Sequence, residues 1–379
     1  MTDLLTMPQV QAPISTEAAA GDGPRPVNSW DEFTQLREVV VGDVTNARLP
    51  AMTDVSAWMA CYPELSAREL EQVAEGAFPK QVIEETTEDL AILISTLRGL
   101  GIRVHQPAAP DHAQTFSSPE WSSDGYLSYC PRDVTMVMGH CIIETPSPMR
   151  ARYFELLGGM RELFQDYMLN GATWISAPKP RLADELYSLD EDGLPLLGES
   201  EPVFDAANVL RVGRDLIYQV SRSGNEMGLR WLQSALRTIG DGKFRIHPVR
   251  GVYGYTHIDT TITLLRPGLV LLNPERLRPE AVPALFRNWD ILWSPPVRDI
   301  RPTVVPHPLS APWLGMNLLM VSPEVAIVDA DQPELIAAIE ARGITVLPHR
   351  LRHSRVLGGG FHCVTLDIVR DGGLVDYCS

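Results

Sequence analysis

Apolar positions along the chain fall into short runs broken by turns, and each pair of runs is followed by a longer amphipathic stretch. Val134–Pro146, VTMVMGHCIIETP, reads as strand, glycine turn and strand. MRARYFELLGGMRELFQDYMLNG follows with apolar residues at helical spacing and a glycine stop, and ATWISAP closes the unit as a strand. The order β, β, α, β recurs in NVLRVGRDLIYQV (Asn208–Val220), the helix GNEMGLRWLQSALRTIG and the strand KFRIHPV. It recurs again in TITLLRPGLVLLNP with EAVPALFRNW and DILWSP, and in NLLMVSPEVAIVDAD with QPELIAAIEARG and ITVLPHR. A fifth unit is assembled from both chain ends. The C-terminal strand HCVTLDIV lacks a following helix, while the N-terminal strand REVVVGDV is followed by PKQVIEETTEDLAILISTLRGLG and IRVHQP.

A ring closed by its own termini accounts for this arrangement, so the pattern predicts one α/β domain over residues 26–379, a five-bladed ββαβ propeller. An α/β sandwich with chance regularity is the competing architecture. Residues 1–25, rich in Ala, Pro, Thr and Gly and without periodicity, read as a disordered tail. The full length of 379 residues would by itself allow two or three domains; the repeats reduce that to one.

Lys+Arg of 32 against Asp+Glu of 48 gives a net charge of −16, which disfavours nucleic acid and anionic membrane surfaces and suits a cationic small substrate. The first basic residue is Arg25 and no apolar run approaches membrane-spanning length, so neither a secretory signal nor a membrane helix is expected. Five cysteines (Cys61, Cys130, Cys141, Cys363, Cys378) include no CxxC pair and point to a reducing, cytoplasmic setting.

If the units are related by rotation, the starts of their first strands converge. Asp133 precedes Val134, Asp205 lies ahead of Val209, and His257 and Asp259 precede Ile262. Ser310 and Trp313 lie ahead of Asn317 and Leu318, and Cys363 opens the last strand. Cys, His and an acid form a set for nucleophilic catalysis, in which imidazole supports the thiolate and protonates a leaving group. Gly358–Gly360 lets the backbone turn closely beside the thiol.

Each residue has a plainer alternative. Cys363 can be a small core residue. Asp133 and Asp205 can be turn or cap residues, and Arg276 a surface arginine. His257 and Asp259, two apart on a strand, would share a face and could form half a metal site, but no second ligand cluster matches; neither metal nor cofactor is expected. The other four cysteines read as structural or incidental. RLRHSR (Arg350–Arg355) reads as a solvated basic patch.

NSWDEF…LREVVVG, YCPRD, IIETP, APKPRLADELY, EPVFDAAN, THIDTT, RPGLVLLNPER, GMNLLMV and LGGGFHC together resemble the L-arginine amidinotransferase family, from about Arg25 to the C-terminus. That family includes glycine amidinotransferases and, closer to this pattern, inosamine-phosphate amidinotransferases of streptomycin assembly. The resemblance implies a five-bladed pseudosymmetric propeller of the guanidine-modifying superfamily. It implies ping-pong transfer of the arginine amidino group through an amidino-cysteine on Cys363, with release of ornithine. His257 would be the general acid/base and Asp205 its orienting carboxylate. Asp133 and Asp259 would grip the guanidinium, Arg276 would bind the donor carboxylate, and Ser310 would belong to a serine pair whose second member is here Ala311.

Glycine-using members carry Asn-Pro-Met where this chain has Gly254-Tyr255-Thr256, which implies a wider acceptor pocket and a larger amine such as an aminocyclitol. Family members are often homodimers. The alternatives are a glycine amidinotransferase, a hydrolytic deiminase of the same superfamily, and a non-catalytic propeller that binds partners.

Overall fold

Among the described residues are five three-stranded sheets, all with one strand order. In each, the first strand pairs antiparallel with the second, and the second runs parallel to the third. Thr135–Met138, Cys141–Glu144 and Thr173–Ser176 form one sheet. Val209–Val212, Asp215–Gln219 and Arg245–Val249 form the next. Ile262–Arg266, Leu269–Leu272 and Asp290–Trp293 follow, then Leu319–Ser322, Val325–Asp329 and Thr345–His349. The remaining sheet joins the two ends of the chain: Thr365–Arg370 pairs antiparallel with Leu36–Val41, which runs parallel to Arg103–His105. The computed structural model describes residues 25–60, 65–70, 73–305 and 308–379 of this α/β domain. The expected tail at residues 1–25, apart from Arg25, and Cys61 lie outside the described residues.

The hydrophobic pattern explains which strands lie inside. First strands such as TMVM, VLRV and LMVS are buried at every position, whereas the third strands Thr173–Ser176 and Asp290–Trp293 are partly exposed. A strand buried on both faces needs a mostly apolar run, which the sequence supplies; its polar members such as Arg211 are buried with partners. Three hairpins turn at Gly139, Gly213 and Gly268 with φ of 61°, 71° and 80°, the left-handed region where glycine carries no steric penalty.

Three sequence expectations change. EAVPALFRNW is not a helix but two short 3₁₀ turns, Pro279–Ala281 and Ala284–Phe286, because Pro283 lacks a backbone donor and its ring blocks α-helical continuation beyond the first turn. The helix expected from Met149 begins only at Gly159 (Gly159–Leu169). The segment before it instead turns Arg150 and Arg152 inward, to ion pairs with Asp54 at 3.2 Å and with Asp133 at 2.8 Å.

Arg350–Arg355 is not a solvated patch. Arg352 meets Asp89 at 2.9 Å and Glu88 at 2.8 Å, and His353 meets Glu85 at 2.6 Å, on one face of the helix Lys80–Gly99. Arg355 is buried and bonds to Asp299 and to the Ser310 carbonyl, and of the segment's arginines Arg350 is the most exposed. An acidic helix face supplied the counter-charges that composition could not reveal.

Beneath the strand starts lies a closed cluster of charges. Arg211 donates to Glu32 at 2.8 and 2.7 Å and to Asp367 at 2.8 Å. Arg132 meets Asp367 at 2.6 Å and Arg370 meets it at 2.7 Å. All five side chains are buried. Burial opposes ionisation of Glu32, but Arg211 outweighs it and keeps the carboxyl well below its usual range.

Candidate active site

Short turns aim the residues that precede the first strands. Pro131–Asp133 and Ala206–Asn208 are 3₁₀ turns, the second beginning just after Asp205, and Pro312–Met316 is a third that ends at Asn317. His257 and Asp259 sit in a bend ahead of Ile262 rather than on a strand, so alternation of side chains does not explain their common direction; the bend does. Gly358, with φ of 76°, ends the turn Ser354–Leu357, and the backbone then runs to Cys363.

One cleft of about 360 Å³ is lined by Tyr253, Thr256, His257, Asp259, Thr260, Arg276, Ser310, Ala311, Leu314, Gly358 and Cys363; Asp133 and Asp205 do not line it and stand against His257. A larger cavity, about 730 Å³, is lined by Arg161, Lys179 and their neighbours and does not reach Cys363. The smaller cleft holds the reactive groups.

His257 Nε2 lies 3.0 Å from Asp205 Oδ2, and its Nδ1 lies 3.6 Å from Asp133 Oδ1. Burial disfavours a charged imidazole, but Asp133, Asp205 and contact with the Cys363 thiol outweigh it and hold the pKa well above the usual imidazole range. The Cys363 Sγ lies 3.4 Å from Asp259 Oδ2 and accepts from Asn317 Nδ2 at 3.1 Å. A hydrogen bond with Cys130, burial and the Asp259 charge together push the thiol well above its ordinary range, with His257 opposing. At neutral pH the resting pair is therefore a thiol beside an imidazolium.

Burial would raise the Asp259 carboxyl, but His362, whose Nδ1 lies at 2.9 Å, overcomes this and lowers it to about 2. Asp133 gives one oxygen to Arg152 at 2.8 Å; its other oxygen, like Asp205 Oδ1, is buried and accepts no hydrogen bond from the protein. Beside Asp133, burial pushes Glu155 up to about 8 although Arg152 lies against it. Buried acceptors without donors are rare and suit a ligand that brings its own N–H groups.

Arg276 donates to Thr260 Oγ1 at 2.6 Å and Thr261 Oγ1 at 3.1 Å, and its guanidinium stacks 3.5 Å from the centre of the Tyr253 ring. Burial pulls its pKa down, and among the described residues no carboxylate forms an ion pair with it. Ser310 and Ala311 both line the cleft, the latter presenting a methyl group where a serine pair would present a hydroxyl.

Of Gly254, Tyr255 and Thr256, only Thr256 lines the cleft. Gly254 is exposed, and Tyr255 instead lies under Arg222, 4.6 Å from its guanidinium carbon. The expectation that all three line an acceptor pocket therefore narrows to Thr256, with Tyr253 as a neighbour that the sequence did not single out. Cys130, set aside as incidental, borders the nucleophile. Its one signal in the sequence was its place directly before Pro131-Arg132-Asp133.

No family model matches the chain. It is 45% identical over 350 residues to inosamine-phosphate amidinotransferase 1 of Streptomyces glaucescens, covering 92% of this chain and 97% of that protein. The chain belongs to the amidinotransferase family. The enzyme is 34% identical over 360 residues to the L-arginine:L-lysine amidinotransferase of Pseudomonas savastanoi pv. phaseolicola, covering 93% of this chain and 96% of that one. Its structure superposes on the inosamine-phosphate amidinotransferase of Streptomyces griseus with a TM-score of 0.87 at 44% identity, over 94% of this chain and 100% of that one. As an amidinotransferase it is a transferase, and no helix among its described residues is long and apolar enough to cross a membrane.

Proposed function

We propose that this amidinotransferase takes the amidino group from L-arginine and delivers it to an amine larger than glycine, of aminocyclitol type. The observation that carries the chemistry is the grouping of Cys363, Asp259, His257, Asp205 and Asp133 about one cleft. Arginine binds as a cation, its guanidinium N–H groups satisfying the free oxygen of Asp133 and the Asp259 carboxylate. Arg276 takes the donor carboxylate and Ser310 contributes to the cleft wall. The Cys130 hydrogen bond, burial and the Asp259 charge hold the Cys363 thiol protonated; the arriving cation offsets that charge, and the thiol proton leaves to solvent because His257 already carries its own.

The thiolate attacks the guanidinium carbon. The bond from that carbon to Nδ breaks as the His257 imidazolium protonates Nδ, ornithine leaves, and a cationic amidino-cysteine remains. The acceptor amine then attacks the same carbon, His257 takes the amine proton, and the carbon–sulfur bond breaks. Asp205 orients His257 throughout.

Two relatives named for an inosamine phosphate support the acceptor class, as does the absence of a bulky methionine ahead of His257. We also carry forward a five-bladed ring of the five sheets, supported by their common strand order and by the joining of both termini in one sheet. Cytoplasmic residence is supported by the four free cysteines among the described residues. A homodimer rests on the family resemblance alone.

Mass spectrometry after incubation with arginine alone tests the first half-reaction and should find an amidino group on Cys363. A screen of amines, read as ornithine release, tests the second. Citrulline and ammonia formed without any acceptor would overturn the transfer reading, and glycine as the best acceptor would overturn the acceptor class.

A further inference from the structure

Asn317 ends the turn Pro312–Met316, and its side chain reaches the loop that carries the nucleophile. Its Oδ1 accepts from the backbone N–H of His362 at 2.9 Å and of Cys363 at 3.1 Å. Only an oxygen can accept both, so the amide has one possible orientation, and Nδ2 must face the Cys363 sulfur, 3.1 Å away. The Asn317 backbone carbonyl also accepts from Phe361 N at 2.9 Å. A Cβ at Gly360 would fall within 2.7–2.8 Å of Asn317 Cβ, O and Oδ1, so this contact exists because residue 360 has no side chain. Asn317 is only 2% exposed, so water does not compete for its donor.

The titratable groups facing the thiol are Cys130, Tyr129, Asp259 and His257. Asp259 opposes the thiolate, and His257 supports it only while protonated. Among the described residues, Asn317 Nδ2 is a neutral donor at the sulfur whose support does not change with pH, and it also lies against the Asp259 carboxylate.

We infer that Asn317 is a catalytic residue that stabilises the Cys363 thiolate through Nδ2 while its Oδ1 fixes the backbone of the nucleophile loop. This rests on the reading of Cys363 as the nucleophile. It is the sulfur counterpart of an oxyanion hole: a fixed donor aimed where negative charge develops.

Asn317→Asp separates the two roles, since the carboxylate still accepts from both backbone N–H groups but replaces the donor at sulfur with an acceptor. The rate of Cys363 alkylation by iodoacetamide is followed against pH without arginine, so the result stands even if amidino transfer fails. We expect the apparent thiol pKa to rise by a unit or more, a fall of about tenfold in alkylation rate below it. The turnover number for ornithine release should fall about 100-fold with KM for arginine changed less than about threefold. An alkylation profile and turnover within about twofold of the parent would overturn the proposal.

The unmodified enzyme supplies a second test should the variant fail to fold. The ¹⁵N-labelled side-chain amide signal of Asn317 should move with the same pH midpoint as Cys363 alkylation. A signal indifferent to that ionisation would equally overturn the assignment.

Discussion

Arg211 and His257 are both buried cations surrounded by carboxylates, and they are treated in opposite ways. Arg211 is saturated: Glu32, Asp367, Ser29 and the Val137 carbonyl take its donors, and Arg132 and Arg370 complete the cluster. Around His257, one oxygen each of Asp133 and Asp205 is left without a donor, and Asp259 lies against a thiol. The interior cluster pairs its charges within the protein and serves the fold, with His362 bridging Glu32 to Asp259 of the cleft. The cleft leaves them open, an arrangement that a cationic substrate completes. Buried ionic groups become strongly destabilising when one partner is removed, so the interior cluster tolerates little change. The cleft holds its imbalance in reserve for binding.

That contrast sets the expected size and kind of each variant's effect. Cys363→Ala should reduce ornithine release by about 10⁴-fold or more and abolish the arginine-dependent adduct, with the melting temperature nearly unchanged. Arg211→Ala should do the reverse, costing about 3–5 kcal/mol in a denaturant titration by stranding Glu32 and Asp367. A stable Arg211→Ala protein would erase the distinction between the two regions.

Asp205→Asn should lower turnover by about 10³–10⁴-fold with a smaller change in KM, because it deprives His257 of its orienting carboxylate. Asp133→Asn should instead act chiefly on KM for arginine, raising it about tenfold or more, since one charge-assisted pairing to the guanidinium is lost. Equal effects of the two substitutions on KM and turnover would mean the acids do not divide the work.

The smallest effect is in stability against pH. His257, held high by its aspartates, and Glu155, raised to about 8 by burial, bind protons more tightly folded than unfolded. The stability linked to such groups is complete below their unfolded pKa values and is lost as pH rises through the folded ones. The melting temperature should therefore fall by about 2–3 °C from about pH 6 to pH 8. Glu155→Gln should flatten that slope. Asp259, lowered to about 2, contributes oppositely: its share is present above about pH 4 and fades only in strong acid.

Much of this was legible in the sequence because it depends on local order. Alternating apolar runs and turn glycines specified the strands of all five units, including the one shared by the termini. The strand starts pointed to Cys363, His257, Asp205, Asp133 and Asp259, and the family resemblance to Arg276. Where local signals conflicted, the sequence misled. The apolar content of EAVPALFRNW suggested a helix that Pro283 prevents. The basic run Arg350–Arg355 looked solvated until the acids of a helix more than 250 residues earlier were brought against it.

The sequence by itself determined the repeating unit and placed Cys, His and Asp residues at matched strand starts, because these follow from residue type and spacing; the roles proposed for them came from the family resemblance. Tertiary structure alone decided the rest. It put Asn317 and Cys130 against the nucleophile, bonded Asp259 to His362, left Asp133 with a free oxygen and drew Tyr253 rather than Tyr255 to the cleft. Those relations join residues far apart along the chain. Their energies depend on a donor and acceptor meeting within about 3 Å in a water-poor interior, a condition that no local pattern encodes.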